Sequence, residues 1–569
     1  MFRKRTRRER FWEILPGMTI WLVFIGAIVL SFTKPMWAAV FIVCFDLYWL
    51  LKAFNTSIHL ISSYRRFKVY VKIDWLLLAE MLSERTKIVG HMQEAAVTAK
   101  KRLEKNFYLA EIEKLSGETD QSKQILTNGI IDKPFTDFYH LIVIPFVDES
   151  VAVLSSTIGA LANTQYPHEK MIVVLASEER AGEQAQITAR AIRDRFEGSF
   201  YKMFITVHPD GLPGEIKGKS ANASFAVSSL LSELADMDIP EDLVLISNLD
   251  SDTIVHPQYF ARVMYSFLTN PNPYRRSYQP IAVYNNNIWD SPAFIRVVSV
   301  SNSFWQFTES SRPDRLRTFA SHTMTLRALR EVGFWKKDII NEDGYIFWQC
   351  YLHYKGDYEV VPLFIPVSLD TCLADTFWQT LKNQYKQKKR WAYNVEYYPH
   401  LVPALLKSKA PFWDRMYKLW QYVEGDFNWA AASVLITLLG WLPLFVGGAE
   451  FKETVVAYNL PHATRTLMTI ATGFLIFRVY INLILLPPRP KKYGIGRSIM
   501  MYLQWFLVPF TSIIFGSLPA IEAQTRLMFG WYLEFFVTPK TRKGDVTAMD
   551  MKEMQSSGSA AADREGEEK

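Results

Sequence analysis

The run Leu243-Val-Leu-Ile-Ser-Asn-Leu-Asp-Ser-Asp252 decides how the middle of this chain is read. Leu243 to Ser247 has the length and apolar character of a buried strand, and the chain leaves it through Asn248 into two carboxylates, Asp250 and Asp252. By itself Asp-x-Asp is a weak signal, because turns and helix caps use the same residues. Its place at the end of an apolar strand changes the reading. Two carboxylates one residue apart at a strand end can both face a hard cation such as Mg²⁺ or Mn²⁺, which favours oxygen ligands and commonly bridges to substrate phosphates.

Working outward, His140-Leu-Ile-Val-Ile-Pro145, Met171-Ile-Val-Val-Leu175 and Met203 to Val207 read as three further strands. Asp148-Glu149-Ser150 marks a helix start, with Val151 to Asn163 as the helix behind it. Strands alternating with helical segments from about Phe138 to His400 predict an α/β domain with a mixed, mostly parallel sheet covered by helices. Such sheets bind ligands beyond the carboxyl ends of their strands, which is where Asp250 and Asp252 lie.

A chain of 569 residues exceeds what one core organises, so two or more structural units are expected. Hydrophobic residues at 49 % and charged residues at 21 % exclude a disordered, collagen-like or disulfide-stapled chain. Cys44, Cys350 and Cys372 include no close pair for a zinc site or redox dithiol. The net charge of +7 does not point to nucleic acid, because Arg3, Lys4, Arg5, Arg7, Arg8 and Arg10 crowd the start of the chain just before an apolar run. That placement marks the cytoplasmic side of a membrane span.

Ile14 to Thr33 carries no charge and Pro35 to Leu51 carries only Asp46, so the two read as a helical hairpin turning at Lys34-Pro35. A cleaved signal peptide is the competing reading, disfavoured by the second apolar run that follows at once with no obvious cleavage site between. Later candidates are Phe427 to Ala449, Thr466 to Pro488 (interrupted by Arg478) and Ser498 to Ile521. Arg489, Lys491, Lys492 and Arg497 form a basic, cytosolic loop. Counted literally, this gives five crossings. Asp46 and Arg478 are intramembrane charges that either face a bundle interior or do work there.

Two more segments carry candidate chemistry. Asn341-Glu342-Asp343-Gly344 precedes an aromatic-rich helix, where acidic residues at a helix start also simply suit its dipole. Gln387-Lys388-Lys389-Arg390-Trp391 lies in the helical run Trp378 to Tyr393, and positions 387, 390 and 391 share a face. That face offers an amide, a guanidinium fork suited to phosphate and a broad ring for stacking on a sugar. A basic amphipathic helix on a membrane surface would look the same, and the two readings are compatible.

In this order the motifs resemble the membrane-embedded family-2 glycosyltransferases of the cellulose-synthase-like branch. The matching pieces are Ile144-Pro145 with Glu149, Asp250-x-Asp252, Glu342-Asp343, Gln387-x-x-Arg390-Trp391, and Phe535-Phe536-Val537-Thr538-Pro539-Lys540, which is similar to the gating segment of cellulose synthases. The resemblance covers roughly Phe138 to Lys540. It implies a GT-A-like domain, a nucleotide-sugar donor (a UDP-sugar first), a divalent metal, and inverting transfer to a polysaccharide or other glycan on the cytosolic face.

The resemblance implies roles residue by residue. Asp343 is the general base and Asp250 and Asp252 hold the metal. Glu149, Glu178, Lys219, Asp250, Arg390 and Lys540 contact the donor, while Ser321, His322, Glu342, Gln387 and Trp391 contact the acceptor. A cytosolic gating segment requires Ser498 to Ile521 to re-enter or lie along the interface, leaving four crossings.

The departures are specific. The acidic pair expected after the second strand reads Ala176-Ser177-Glu178-Glu179-Arg180, and Phe319-Ala320-Ser321-His322 replaces the Cys-Gly-Ser acceptor motif. No membrane helix follows the gating-like segment, which favours single addition to a lipid-linked or protein acceptor, whereas the segment itself favours a polymerase. From another class, a transporter or scaffold that only senses nucleotide-sugar would use Asp46 and Arg478 but has no need for an acidic pair together with a base.

The expected organisation is an N-terminal transmembrane hairpin over 1–55, a helical insertion of unknown role over 56–137, the catalytic domain over 138–400, interfacial and transmembrane helices over 401–534, the gating-like segment over 535–544, and a disordered tail over 545–569. The protein is expected in the cytoplasmic membrane as a multi-pass protein with a cytosolic catalytic domain, binding a nucleotide-sugar, a glycan acceptor and lipid but no nucleic acid.

Overall fold

The computed structural model of the protein describes residues 5–473 and 475–538, without the side chains of 474–478. Lys540, the 545–569 tail and the Arg478 side chain therefore lie outside the described residues. The chain divides into two units. One is made of the described parts of Met1–Ile61, Ile288–Thr308 and Thr371–Thr541, and the other of Ser62–Asn287 and Glu309–Asp370.

The second unit holds an eight-stranded mixed sheet. Its strands are β1 (Tyr139–Pro145), β2 (Met171–Glu178), β3 (Lys202–His208), β4 (Val244–Asn248), β5 (Ile254–Val255), β6 (Arg276–Tyr284), β7 (Thr323–Thr325) and β8 (Glu359–Leu369), in the order β3-β2-β1-β4-β7-β6-β8-β5. The block β3-β2-β1-β4 is parallel throughout. β7 then runs antiparallel to both β4 and β6, β8 is parallel to β6, and β5 is antiparallel to β8. This is the mixed, mostly parallel sheet expected from the alternation of strand and helix. β2 and β4 are buried along their whole length, which is why they read as unbroken apolar runs and not as alternating ones. The helix Val151–Ala162 begins where expected, with the Ser150 hydroxyl accepting from Val153 N–H.

The segment with no readable chemistry folds as four helices, Trp75–Met81, Arg85–Thr98, Arg102–Ser116 and Asp120–Thr127. They pack on the sheet domain through an aromatic and ionic wedge. Trp75 is fully buried, with ring centroids 5.4 Å from Tyr70, 5.6 Å from Phe107 and 5.3 Å from Tyr265. The Arg262 guanidinium lies 4.0 Å from the Trp75 ring centroid and its Nε donates to the Leu363 carbonyl at 3.1 Å. Glu111 accepts from Lys114 at 2.7 Å and from the Tyr265 hydroxyl at 2.8 Å. Burial pushes the Glu111 carboxyl up, but Lys114 and Arg262 hold it below its ordinary value.

Arg7–Thr33, in the first unit, and Pro35–Tyr70, which begins there, are separated only by Lys34. Ile495–Phe529 runs as a 35-residue helical segment, and these three helices are long and apolar enough to cross a membrane. The expected straight run from Phe427 differs. Its helix starts earlier, at Phe412, and is bent by 45° between Phe412–Thr437 and Leu439–Val446. Pro443, with no N–H to give to the preceding turn, accounts for the break. Counting that pair as one span gives up to four among the described residues. The run Thr466 to Pro488 is spread over Val455–Gly473 and Leu475–Leu485, and Asp46 is buried on Pro35–Tyr70. Near the chain start, buried Glu13 receives Arg5, Arg10 and the Tyr532 hydroxyl, tying the first helix to the segment that leads into Phe535.

Glu111→Ala removes the Lys114 ion pair and the Tyr265 hydrogen bond and takes a carboxylate from the field of buried Arg262, and should cost about 1–3 kcal/mol. The thermal melting of detergent-solubilised protein should fall accordingly. Because the folded-state pKa of Glu111 is depressed, its support exists above the unfolded carboxylate value, roughly pH 4.3, and fades as pH falls through the folded value. The variant should therefore melt with less acid sensitivity than the parent. An unchanged melting temperature would remove the ion pair as the wedge's key contact.

Candidate active site

The site is assembled at the carboxyl ends of β1, β2 and β4 within the sheet unit. From β4 the chain turns so that Ser251 Oγ donates to Glu149 Oε1 at 2.6 Å, while Glu149 Oε2 accepts from Val147 N–H at 2.8 Å. Glu149, expected at the donor, therefore links the end of β1 to the middle residue of the Asp-x-Asp run.

Asp252 is 3 % exposed and its Oδ2 accepts the Asp370 backbone N–H at 2.9 Å. Asn286 braces the same turn, donating to the Asp252 carbonyl at 3.1 Å and to Asp370 Oδ1 at 2.9 Å. Neither Asp370 nor Asn286 was singled out from sequence. Asp370 follows the apolar strand β8 just as Asp250 follows β4, so the same strand-end signal would have found it.

Asp250 receives Lys219 Nζ on Oδ1 at 2.6 Å. Lys219 opens the helix Lys219–Ser229, which starts beside the loop carrying Glu215. That loop is pinned by Glu215, which meets His208 Nε2 and Lys337 Nζ at 2.8 Å each. Burial works against the Lys219 charge, yet Asp250, Glu342 and Asp343 together raise its pKa above the ordinary lysine value. The ammonium is thus the cation shared by carboxylates from two motifs 92 positions apart in sequence, Asp250 and Glu342. Glu342 and Asp343 start the helix Glu342–His353, and Asp343 Oδ1 accepts from Gly344 N–H at 2.8 Å.

His322 is fully buried and within the field of the same pair. Burial pulls its pKa down to about 4, so it stands as neutral imidazole, with Nδ1 paired to the Phe319 carbonyl at 2.8 Å. Ser321 adopts a left-handed backbone, φ 66°, and shares its hydroxyl with Thr253 at 3.2 Å. A non-glycine residue held there costs of order 1–3 kcal/mol, and the Tyr259 hydroxyl on the Ser321 carbonyl at 3.0 Å helps hold it. Glu178, the last residue of β2, is gripped by Arg180 through two contacts of 2.5 and 3.0 Å. Arg180, missed from sequence, occupies the carboxylate expected to read the base.

Gln387, Arg390, Trp391 and the described part of the gating-like segment belong to the other unit. They lie on or beside the helix Phe377–Ala392, one residue off the expected start and end. Gln387 accepts from Gln384 at 3.0 Å, the Arg390 guanidinium lies 4.7 Å from the Phe535 ring, and Lys386 Nζ lies 4.9 Å from that of Phe536. The helix is anchored by Glu522, which accepts from the Tyr385 hydroxyl at 2.9 Å and from Lys389 and Arg526 at 2.8 Å each.

A divalent ion fits the donor chemistry at Asp250 and Asp252. Both are carboxylates, and Mg²⁺ is usually held by one or two carboxylates plus substrate phosphates, not by a full protein cage. Among the described residues no group of three or more His, Cys, Asp or Glu side chains is arranged to hold a metal ion, so a bound ion would depend on diphosphate oxygens.

The model for "Glycosyl transferase family group 2" matches residues 245–511. No curated protein matches this chain. Among solved structures, it is similar to the mannosyltransferase PcManGT from Pyrobaculum calidifontis in complex with GDP-Man and Mn²⁺, at 14 % identity and TM-score 0.34, over 63 % of this chain and 93 % of that one. It is also similar to S. aureus TarS 1-349 in complex with UDP-GlcNAc, at 9 % identity and TM-score 0.32, over 69 % and 92 %.

Glu522→Ala should release the helix Phe377–Ala392 without touching Arg390 or Trp391. Hydrogen–deuterium exchange of peptides spanning 377–392 should speed up several-fold while those of β1 and β2 stay as protected as before. Equal protection in parent and variant would mean that the helix is held by other contacts.

Proposed function

We propose that this chain is a family-2 glycosyltransferase, a membrane-bound, inverting enzyme that moves a sugar from a nucleotide-sugar, a UDP-sugar first, to a polysaccharide or other glycan acceptor with the help of Mg²⁺ or Mn²⁺, a reading that the family model over residues 245–511 supports. The observation that carries this reading is the Lys219–Asp250 ion pair in the field of Glu342 and Asp343. A half-buried ammonium in the field of carboxylates from a strand end and a helix start is suited to a ligand that brings both an anionic diphosphate and a hydroxyl to deprotonate. The three helices that are long and apolar enough to cross a membrane support a multi-pass protein, and the basic N-terminal cluster supports a cytosolic catalytic domain.

Asp250 and Asp252 would hold the divalent ion, which when bound offsets the charge that develops on the leaving diphosphate. Lys219 adds a fixed positive charge in a partly desolvated setting, where it counts for more than in water. Glu149 keeps the Asp-x-Asp turn in shape through Ser251, and Glu178 with its arginine partner faces the nucleoside. Arg390 and Lys540 contribute further charge to the diphosphate, as the resemblance implies.

Asp343 takes the proton of the attacking acceptor hydroxyl, a general-base role of about 10²–10⁴-fold. Glu342, Ser321 and His322 orient the acceptor, and the resemblance gives Gln387 and Trp391 acceptor contacts of their own. The neutral His322 ring hydrogen-bonds without adding charge near the anomeric carbon, where positive charge builds up.

A screen of radiolabelled nucleotide-sugars with detergent-solubilised protein tests the reading, and product length separates polymer synthesis from single addition. Transfer from no nucleotide-sugar would overturn it. Asp343→Asn should keep donor affinity and lower kcat by at least 10²-fold; retained turnover would remove Asp343 from the base role. Asp252→Asn should abolish the turnover that Mn²⁺ restores after chelation, and activity indifferent to chelator would refute the metal reading.

A further inference from the structure

Lys388 sits inside the Gln387 to Trp391 motif, yet neither the proposed donor contacts nor the Glu522 anchor uses it. Its Nζ donates to Asn302 Oδ1 at 2.6 Å, on the helix Ala293–Ser310. The same Nζ lies 5.1 Å from the ring centroid of Trp391 and 5.5 Å from that of Trp429, on the helix Phe412–Thr437. All four residues belong to one unit. Desolvation pulls the Lys388 pKa down to about 7.

Keeping a lysine there is costly if packing is its only task, since a methionine fills the same volume without the desolvation penalty. What the charge adds is direction. An ammonium over an indole face attracts the ring quadrupole, and Trp391, three residues along the same helix face, is in reach of it. Trp429 approaches the same charge from a different helix, and Asn302 holds the Nζ from a third. Three separate elements therefore converge on one charged atom, which restricts the tilt of the Trp391 ring more than apolar packing alone.

Resting on the acceptor role given above to Trp391, we propose that Lys388 is a positioning residue for acceptor binding, its ammonium fixed by Asn302 and holding the indoles of Trp391 and Trp429 in one orientation so that Trp391 presents a set ring face to the sugar. Lys388 itself touches no reacting atom. Its loss weakens acceptor binding without altering the chemical step.

The test uses the full-length protein in detergent, with the donor returned by the radiolabel screen and the tetrasaccharide of the same sugar as acceptor probe. Lys388→Met should raise the acceptor KM about five- to thirtyfold, the range of one cation–π contact, with kcat and donor KM unchanged. In a Trp391→Ala background the same substitution should have no further effect. Lys388→Arg, which keeps a cation over the rings, should restore much of the acceptor affinity.

An unchanged acceptor KM in Lys388→Met, or an equal loss in both backgrounds, overturns the positioning role while leaving the function itself intact. A Trp391→Ala protein with normal acceptor KM instead overturns the acceptor reading of Trp391, and the positioning role falls with it. If Lys388→Met does not fold, Asn302→Ala makes the same comparison, because it frees the ammonium from its amide partner. A KM rise that appears only when Trp391 is present supports the proposal, and no rise overturns it.

Discussion

The contact on which the catalytic unit depends is the ammonium of Lys219 against the carboxylate of Asp250. An apolar strand that leads into two aspartates, near a helix that starts with Glu342 and Asp343, concentrates negative charge at that end of the sheet. Without a cation the carboxylates would repel one another and take up protons. Lys219 supplies that cation on a helix start whose preceding loop is clamped by Glu215 between His208 and Lys337. The acidic site and the basic side chain that stabilises it thus come from segments far apart in sequence, held by one sheet.

The surrounding polar contacts serve the same end by removing freedom. Glu149 fixes Ser251, the Asp370 N–H fixes Asp252, and Asn286 joins the two strand ends behind them. The two accepted by carboxylates are worth about 1.5–3 kcal/mol each and the Asn286 bond to a carbonyl about 1 kcal/mol. Together they leave the Asp-x-Asp turn little room to move, which matters more for catalysis than their summed energy, because a misplaced ligand costs rate steeply. In the other unit, Glu522 does comparable work for the helix bearing Arg390 and Trp391, and Lys388 on that helix meets Asn302, Trp391 and Trp429.

The helical segment between the N-terminal hairpin and the sheet had no chemistry to read, and its packing explains why. Its conspicuous residues, Trp75, Phe107 and Glu111, are spent on the wedge against Tyr265 and Arg262. Glu111 looks like any helical surface acid in the sequence, since nothing local distinguishes it from Glu113 two places on. Only the approach of the helix Tyr259–Leu268 makes one of them a buried partner.

By itself, the sequence determined the strands β1 to β4, the apolar helices toward both ends, and the motif residues, while β5 to β8 came only from the structure. Those features follow from local rules: unbroken apolar runs for strands buried on both faces, turn-forming residues where they stop, and lengths that match a bilayer. Asp250 and Asp252 were legible because strand-end carboxylates stand out against an apolar run. The tertiary structure alone decided that β7 enters antiparallel, that Asp370 and Asn286 brace the Asp-x-Asp turn, that Arg180 takes the Glu178 carboxylate, and that the Lys388 ammonium meets two indoles. Sheet pairing and ion pairing are selected by energies between segments distant in sequence, and a one-dimensional pattern records each partner's chemistry but not the distance between them.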